Sequence, residues 1–136
     1  MAAALHPLAS LQNRLVMVVE DEFFQAKDLG QALTAAGACL VGPFPTVAAA
    51  LEALENEEAV VEAAILDINL RGREVYDVAD ILAERGIPFL FTTGYDPEML
   101  PQSHQERPVC TKPFRIEELL AAVAKLLSGS SAQAGQ

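Results

Sequence analysis

The sequence predicts a doubly wound α/β fold, in which five parallel strands form a single sheet with helices on both faces. Short apolar runs of strand length recur along the chain, and they occupy residues 15–19, 38–41, 63–66, 88–92 and 109–111. Segments with the apolar spacing of an α-helix lie between these runs. Parallel neighbours need such long crossovers, and right-handed crossovers place helices on both faces of the sheet.

Two of the runs have the character of central strands. Residues 15–19 read LVMVV and residues 63–66 read AAIL, so neither run contains a polar side chain. Continuous apolar runs are typical of parallel strands that are covered on both faces. We therefore expect these two strands to be neighbours in the sheet.

The crossover helices are predicted from apolar residues that lie three or four positions apart. Ahead of Gly37 this spacing is found at Ala26, Leu29, Leu33 and Ala36, and a glycine suits a helix C-terminus because it lacks a Cβ atom. The same spacing occurs in residues 47–54, in residues 75–82 and at Ile116, Leu119, Leu120, Val123 and Leu127. Each of these helices is expected to lay one face on the sheet.

The fourth crossover departs from this regular pattern. Asp96, Pro97 and Glu98 form a favourable helix start, but Pro101 and Pro108 then interrupt helical continuity. We therefore predict a short or irregular fourth helix.

We divide the chain into an N-terminal extension of residues 1–13, a domain of residues 14–127 and a flexible polar tail of residues 128–136. A domain of this length can bury enough apolar surface to fold without disulfides or a structural metal. The residues of the tail are mostly small or polar, which is typical of a mobile segment.

The charge and hydropathy of the chain argue against two classes of partner. Acidic residues outnumber basic residues by 19 to 9, and the resulting net charge of −10 disfavours non-specific binding to nucleic acid. No uninterrupted apolar stretch approaches the roughly 20 residues of a membrane-spanning helix. The N-terminal residues lack the basic start of a signal peptide. We expect a cytoplasmic protein with neither a nucleic-acid nor a membrane partner.

The cysteines, Cys39 and Cys110, lie far apart and match no metal-binding spacing. Reduced thiols buried in the core of a cytoplasmic protein are the simplest interpretation.

Polar residues follow four of the predicted strands. Glu20 and Asp21 come after the first strand, Asp67 after the third, Thr93 after the fourth and Lys112 after the fifth. Ligands of parallel α/β sheets bind beyond the carboxyl ends of the strands, so these side chains are expected to converge. Singly, an acidic helix start and a Lys-Pro turn have ordinary structural explanations. Their ordered occurrence together favours a site.

The chemistry of these side chains suits phosphoryl transfer. The carboxylates of Glu20, Asp21 and Asp67 would repel one another in a half-buried cleft, so a cation is expected there, and an all-oxygen ligand set favours Mg²⁺. A carboxylate beside the metal can attack a phosphoryl group to form an acyl phosphate. Lys112 would neutralise the charge of the phosphoryl oxygens, and the Thr93 hydroxyl would hydrogen-bond to one of them.

This ordered set resembles the receiver domain of two-component response regulators. That family carries an acidic pair, a phosphoacceptor Asp, a Thr and a Lys-Pro pair at four successive strand ends. The resemblance extends over residues 14–127 and implies the flavodoxin-like strand order 2-1-3-4-5. It implies that Asp67 is the phosphoacceptor, Thr93 the switch hydroxyl and Lys112 the phosphate partner, with a cis peptide bond before Pro113.

The same resemblance implies the ligands of a Mg²⁺ ion. Asp21 would be the principal ligand beside Asp67, Glu20 would support it directly or through water, and the backbone carbonyl of Asn69 would complete the set. The side chains of Asn69 and Tyr95 would tune the lifetime of the acyl phosphate.

A closer resemblance is to stand-alone receivers with a Pro-Phe-x-Phe-Ala-Thr-Gly-Tyr signature, because residues 88–95 read PFLFTTGY. Thr92 stands where that signature has alanine. Val109 stands where many receivers have an aromatic switch residue, three positions before the lysine. We therefore hypothesise that Tyr95 replaces this aromatic residue.

The resemblance implies a single-domain response regulator. It would accept a phosphoryl group from a histidine kinase or a histidine phosphotransfer protein and signal through contacts with a downstream protein. It would assist its own phosphorylation and dephosphorylation without being an enzyme. His6 and His104 lack the helix-bundle setting of a phosphorelay histidine, and they receive no role.

Three other functions fit the sequence less well. A receiver-like interaction module that carries no phosphate usually lacks the acceptor, the acidic pair or the lysine, and this sequence retains all of them. An aspartyl-phosphate phosphatase of the haloacid-dehalogenase type needs a second Asp two positions after its nucleophile, where Asn69 stands. A flavodoxin-like cofactor protein needs Ser, Thr and Gly after the first strand, where residues 20–22 are acidic.

Overall fold

A computed structural model of the chain describes residues 10–56, 60–94 and 100–134. The elements in chain order are β1 (Leu15–Val19), α1 (Phe23–Ala35), β2 (Cys39–Phe44), α2 (Val47–Glu55), β3 (Ala63–Asp67), β4 (Asn69–Leu70), β5 (Arg73–Glu74), α3 (Tyr76–Glu84), β6 (Phe89–Thr93), a 3₁₀ helix (Gln102–His104), β7 (Val109–Thr111) and α4 (Ile116–Ala134).

The main sheet is parallel and five-stranded, and its strand order is β2-β1-β3-β6-β7. Strands β4 and β5 form a separate antiparallel pair, so β6 and β7 are the fourth and fifth strands of the predicted alternation. The predicted doubly wound fold and its order 2-1-3-4-5 are confirmed. The two most apolar strands, β1 and β3, are neighbours as expected, with Val16 opposite Ala63.

The core consists of two apolar layers, one on each face of the sheet. On one face, Met17 and Leu66 pack with residues of α2 and α3. On the other face, Val16 and Ile65 pack with residues of α1 and α4. Successive residues of each central strand therefore enter opposite layers, and a one-residue slip of register would bury the wrong set of side chains. Because all five strands run parallel, their carboxyl ends lie at one edge of the sheet.

Helix α1 begins directly after the acidic segment that follows β1. The Glu22 carboxylate is the N-cap, and it accepts hydrogen bonds from the backbone N–H groups of Phe24, at 3.3 Å, and Gln25, at 2.6 Å. At the other end Gly37 has a φ of +93°, a conformation that glycine adopts at no steric cost. The predicted end of this helix at Gly37 is therefore confirmed.

Part of the segment assigned to the N-terminal extension packs on the domain. Leu11 is fully buried in the layer formed with α1 and α4, and the Ser10 hydroxyl donates a hydrogen bond to the Ala124 carbonyl at 3.1 Å. Helix α4 continues past Leu127 and ends at Ala134. The division into extension, domain and tail stays a prediction.

The described part of the fourth crossover is irregular, as predicted. This part, residues 100–108, contains the three-residue 3₁₀ helix Gln102–His104, which begins after Pro101. Pro108 directly precedes β7. The helix start predicted at residues 96–98 lies outside the described residues.

The expectation of buried cysteines is wrong for Cys39, which is exposed, while Cys110 is half-buried. Cys39 is the first residue of β2, and β2 is an edge strand with one neighbour in the sheet. Within the described ranges, no helix combines the length and apolar character that crossing a membrane requires.

Candidate functional site

The carboxyl ends of β1, β3, β6 and β7 meet at one edge of the sheet and carry the polar residues singled out from the sequence. Asp67 is the last residue of β3 and Thr93 is the last residue of β6. Lys112 directly follows β7, and its backbone N–H donates a hydrogen bond to the Thr93 carbonyl at 2.7 Å. The fold therefore brings Glu20, Asp21, Asp67, Thr93 and Lys112 to the same edge.

Three carboxylates form the acidic part of this edge. Glu20 is 2% exposed and Asp67 is 6% exposed, whereas Asp21 is half-buried. One oxygen from each of the three lies within 4.8 Å of the others, and no other such acidic or His/Cys group occurs in the part of the chain that the structure describes. The Glu20 backbone is held by its N–H, which donates to the Phe44 carbonyl at 3.0 Å.

The environment of Glu20 disfavours its charged form. Burial, reinforced by a hydrogen bond with Asp67 and by the charge of Asp67, raises the pKa of Glu20 from 4.5 to about 7. The Glu22 N–H and the Lys112 ammonium group act in the opposite direction with smaller effect. Its Oε1 atom has no hydrogen-bond partner among the described residues, although Lys112 Nζ lies 3.2 Å away. The carboxylate cluster is therefore short of positive charge.

Lys112 is the cation of the site. Its Nζ donates a hydrogen bond to Asp67 Oδ2 at 3.0 Å. Burial acts to lower the pKa of Lys112, but the hydrogen bond and charge of Asp67, followed by those of Glu20, outweigh burial and raise that pKa above its ordinary value. Lys112 therefore stays charged beside Asp67. The peptide bond between Lys112 and Pro113 is cis, as the resemblance implies.

The loop after β3 contacts the acidic cluster through backbone N–H groups. Asn69 N–H donates to Asp67 Oδ1 at 3.4 Å, and Arg71 N–H donates to Asp21 Oδ2 at 3.1 Å. The β4–β5 hairpin turns at Arg71 and Gly72, whose φ angles are +53° and +84°. The Asn69 side chain is exposed, and its Oδ1 accepts a hydrogen bond from Gly72 N–H at 3.0 Å.

Sequence reasoning missed this hairpin and the contact that Arg71 makes with Asp21. Hairpin turns with two positive φ angles favour Asn, Asp and Gly at their centre. Gly72 offered that signal, but Arg71 is an unusual residue for the first central position, and the flanking strands are only two residues long. The Arg71 contact is made by the backbone, so the residue type gave no indication of it.

The remaining predicted residues lie near the edge or outside the described ranges. Thr93 is 2% exposed, and a Cβ atom at the following Gly94 would meet nothing within 4 Å. Thr92 is buried, and its carbonyl accepts a hydrogen bond from Ile68 N–H at 3.0 Å. Val109 packs on the layer formed with α2 and α3. Tyr95, for which the sequence predicts tuning and switch roles, lies outside the described residues.

The acidic cluster fits a divalent metal ion of the kind that oxygen ligands select. All candidate side-chain donors are carboxylate oxygens, and a buried oxygen of Glu20 lacks a hydrogen-bond partner within the described chain. Lys112 forms ion pairs with Glu20 and Asp67, and three carboxylates share the site, so a bound dication would relieve their mutual repulsion.

Solved structures of other proteins share this fold. The solution structure of SdrG from Sphingomonas melonis Fr1 is 36% identical to this chain, and the match covers 88% of this chain and 98% of SdrG with a TM-score of 0.71. The crystal structure of the response regulator PhyR from Brucella abortus is 29% identical, and the match covers 98% of this chain with a TM-score of 0.79. This chain spans 55% of the length of that PhyR structure.

A response regulator receiver protein from Sinorhizobium medicae WSM419 has the same fold at 23% identity. That match covers 88% of this chain and 98% of the other, with a TM-score of 0.74. No family model and no curated protein matches the chain.

Proposed function

The chain belongs to the receiver domains of response regulators, and from this premise we propose that it is a signalling domain in which Asp67 accepts a phosphoryl group. The observation that carries the proposal is the contact of 3.0 Å between Lys112 Nζ and Asp67 Oδ2, in a site where the same Asp67 adjoins Glu20 and Asp21. If the site were only an ion pair with Lys112, a single carboxylate would be enough. The surplus of carboxylates favours a metal-assisted site for a phosphoryl group.

In the proposed reaction, a carboxylate oxygen of Asp67 attacks the phosphorus atom of a phosphohistidine. An O–P bond forms, the P–N bond breaks, and the released imidazole nitrogen takes up a proton. The Lys112 ammonium group lies where it can neutralise a phosphoryl oxygen that is bound to Asp67. Lys112 would therefore exchange part of its contact with the carboxylate for one with the phosphoryl group.

A Mg²⁺ ion would be held by the carboxylates of Glu20, Asp21 and Asp67 and by the backbone carbonyl of Asn69. When bound, it would offset negative charge on the carboxylates and on the phosphoryl oxygens. The donor set and the pKa of Glu20, raised to about 7, support this assignment.

The switch and tuning roles follow from position along the chain. Thr93 ends the strand beside Asp67, so its hydroxyl is the proposed partner of a phosphoryl oxygen. The side chains of Asn69 and Tyr95 would flank the water that hydrolyses the acyl phosphate and would set its lifetime. Tyr95 would also replace the aromatic switch residue, whose usual position is occupied by Val109 in this chain.

The proposed donor is a histidine kinase or a histidine phosphotransfer protein in the cytoplasm, and the proposed output is a contact with a downstream protein. Membership in the receiver family supports this assignment. The PFLFTTGY segment supports a stand-alone role, as in receivers with the related signature. The domain would assist its own phosphorylation and dephosphorylation rather than turn over a substrate.

Intact mass measurement tests the proposal. The protein is incubated with Mg²⁺ and a small phosphodonor, such as acetyl phosphate, and separately with its cognate kinase. We expect one phosphoryl adduct that is lost on mild alkaline treatment and absent from Asp67→Asn. Asp77→Asn is the matched control, because Asp77 is an exposed acid on α3 away from the acidic cluster. Absence of the adduct with both donors, or its persistence in Asp67→Asn, would contradict the proposal.

A further inference from the structure

His104, which received no role from the sequence, is the most enclosed ionisable side chain of the fourth crossover in the described chain. The side chain is 3% exposed, and its Nε2 atom lies 2.7 Å from Asp80 Oδ1. Asp80 lies on α3 and its side chain is 65% exposed. The contact therefore joins the 3₁₀ helix of the crossover to a helix on the α2–α3 face of the sheet.

Aromatic rings surround the imidazole. Tyr76 stacks on it with a centroid distance of 6.2 Å and an interplanar angle of 22°. Phe89 and Phe91 meet it edge to face, with centroids at 5.8 Å and 5.9 Å. The imidazole therefore fills an aromatic pocket between α3 and β6.

The hydrogen-bond chemistry places a hydrogen on one ring nitrogen of His104. A carboxylate only accepts hydrogen bonds, so Nε2 must carry the proton that is donated to Asp80. Nδ1 has no partner among the described residues. The contact with Asp80 therefore assigns a hydrogen to Nε2, whereas Nδ1 makes no hydrogen bond within the described chain that would fix its own.

We propose that the Asp80–His104 hydrogen bond is a latch that fastens the described part of the fourth crossover, residues 100–108, to α3, and that the rings around His104 link this latch to the strand that carries Thr93. Phe91 lies two positions before Thr93 on β6, and its side chain contacts the imidazole. Val109 is in register with Phe91 and lies on the same face of the sheet. Val109 has no aromatic ring on this face of the sheet. His104 supplies an aromatic ring there, although it belongs to the crossover.

The latch itself is a property of the unphosphorylated protein. Asp80 holds the segment through His104, while the backbone N–H groups of His104 and Arg107 bond to the carbonyls of Pro101 and His104. Coupling of the latch to Thr93 rests on the proposed function, because it requires a phosphoryl group at Asp67. The two claims are tested separately.

Amide hydrogen exchange tests the latch without phosphorylation. In Asp80→Ala we expect exchange at the His104 and Arg107 amides to rise about tenfold, because local opening no longer breaks a hydrogen bond to α3. His104→Phe keeps an aromatic ring but removes the donor, and we expect a similar rise. Asp77→Ala is the matched control, since Asp77 is on the same helix with the same side-chain exposure of 65%. Wild-type exchange rates in Asp80→Ala or in His104→Phe would overturn the latch.

The imidazole ¹⁵N spectrum reports on the hydrogen bond itself, and a purely packing role of His104 would not change it. At neutral pH we expect the signal of an Nε2 atom that carries hydrogen in the wild type and a changed Nε2 signal in Asp80→Ala. An unchanged Nε2 signal in the variant would show that His104 does not donate to Asp80, and it would overturn the proposal.

Amide NMR shifts test the coupling after treatment with Mg²⁺ and a small phosphodonor. We expect shifts at residues 100–107 of the wild type, reduced by about half or more in Asp80→Ala at equal adduct yield. An adduct without shifts in this segment would overturn the coupling and leave the proposed function intact. A wild type that forms no adduct at all would contradict the proposed function, whereas the exchange measurements would still decide the latch.

Discussion

Among the residues of the site, Glu20 has the least favourable electrostatic environment. Its side chain is almost fully buried, and it shares the site with Asp67 and Asp21. Because the pKa of Glu20 is raised from 4.5 to about 7, the folded protein binds more protons at Glu20 than the unfolded chain between these pH values. Without metal, the contribution of Glu20 to the free energy of unfolding is therefore largest below pH 4.5, and this contribution is lost as the pH rises through 7.

This sign gives a prediction for Glu20→Gln. In EDTA at pH 8, the substitution is expected to raise the free energy of unfolding by about 3 kcal/mol, because a neutral amide replaces a destabilised carboxylate. At pH 4 the gain should nearly vanish, since Glu20 is then neutral in the folded protein and mostly neutral in the unfolded chain. Urea denaturation at both pH values measures it, with Glu52→Gln, an exposed acid on α2, as the control. An equal effect at both pH values would contradict the assigned pKa.

After the acceptor Asp67 itself, Lys112 is the residue whose loss should affect phosphorylation most directly. Lys112→Met keeps much of the aliphatic volume and removes the ammonium group 3.0 Å from Asp67. We expect phosphorylation by a small donor to slow by about 100-fold, the order of magnitude for losing one preorganised electrostatic contact. Intact mass against time measures this rate. Lys125→Met, at an exposed position on α4, should keep the wild-type rate.

At the scale of elements, the start of α1 combines a site with a helix cap. Glu20 and Asp21 are members of the carboxylate cluster, whereas Glu22 accepts hydrogen bonds from two N–H groups of the first helical turn. The structural explanation of an acidic helix start is therefore correct for Glu22, while Glu20 and Asp21 belong to the site.

Glu22→Ala tests this division. The loss of two capping hydrogen bonds is expected to lower the free energy of unfolding by about 1 kcal/mol, a typical value for an N-cap. Phosphorylation of Asp67 and binding of Mg²⁺ should persist, since the Glu22 side chain is exposed and lies outside the carboxylate cluster. Chemical denaturation and the mass assay are compared in the same variant. Loss of Mg²⁺ binding in Glu22→Ala would place Glu22 among the ligands.

At the scale of the whole molecule, the site exists because the register of the parallel sheet joins distant parts of the chain. Glu20 and Lys112 are in contact at 3.2 Å, although nearly the whole domain separates them in sequence. A ligand that bridges these strand ends binds the folded chain and finds no such site in the unfolded chain. Its binding free energy therefore adds to global stability.

Mg²⁺ should accordingly stabilise the entire domain. At a concentration near 100 times its dissociation constant, the expected gain in free energy of unfolding is about 2.7 kcal/mol. Thermal unfolding with and without MgCl₂ measures the gain, and NaCl at matched ionic strength is the control for screening. Asp21→Asn should abolish most of the gain. A gain that is equal in NaCl would argue against a specific metal site.

Many features of the fold and site were predictable because they follow from local patterns. The apolar runs of β1 and β3 gave the central strands, and the polar residues after them gave the members of the site. Cys39 was mispredicted because an apolar run does not reveal which strand lies at an edge. The roles of Arg71 and His104 were not predictable, since one acts through its backbone and the other through rings on separate elements.

Local sequence patterns were sufficient to predict the alternation of strands and helices and the polar residues that lie at one edge of the sheet. Parallel strands that are covered on both faces must be apolar throughout, because burial of a polar side chain there costs free energy. Polar side chains are therefore tolerated at the ends of these strands. The folded arrangement was needed for the rest, namely the distances between Lys112, Asp67 and Glu20, the raised pKa of Glu20 and the enclosure of His104. These properties depend on burial and on contacts between residues that are far apart in the chain, and local sequence carries no direct measure of either.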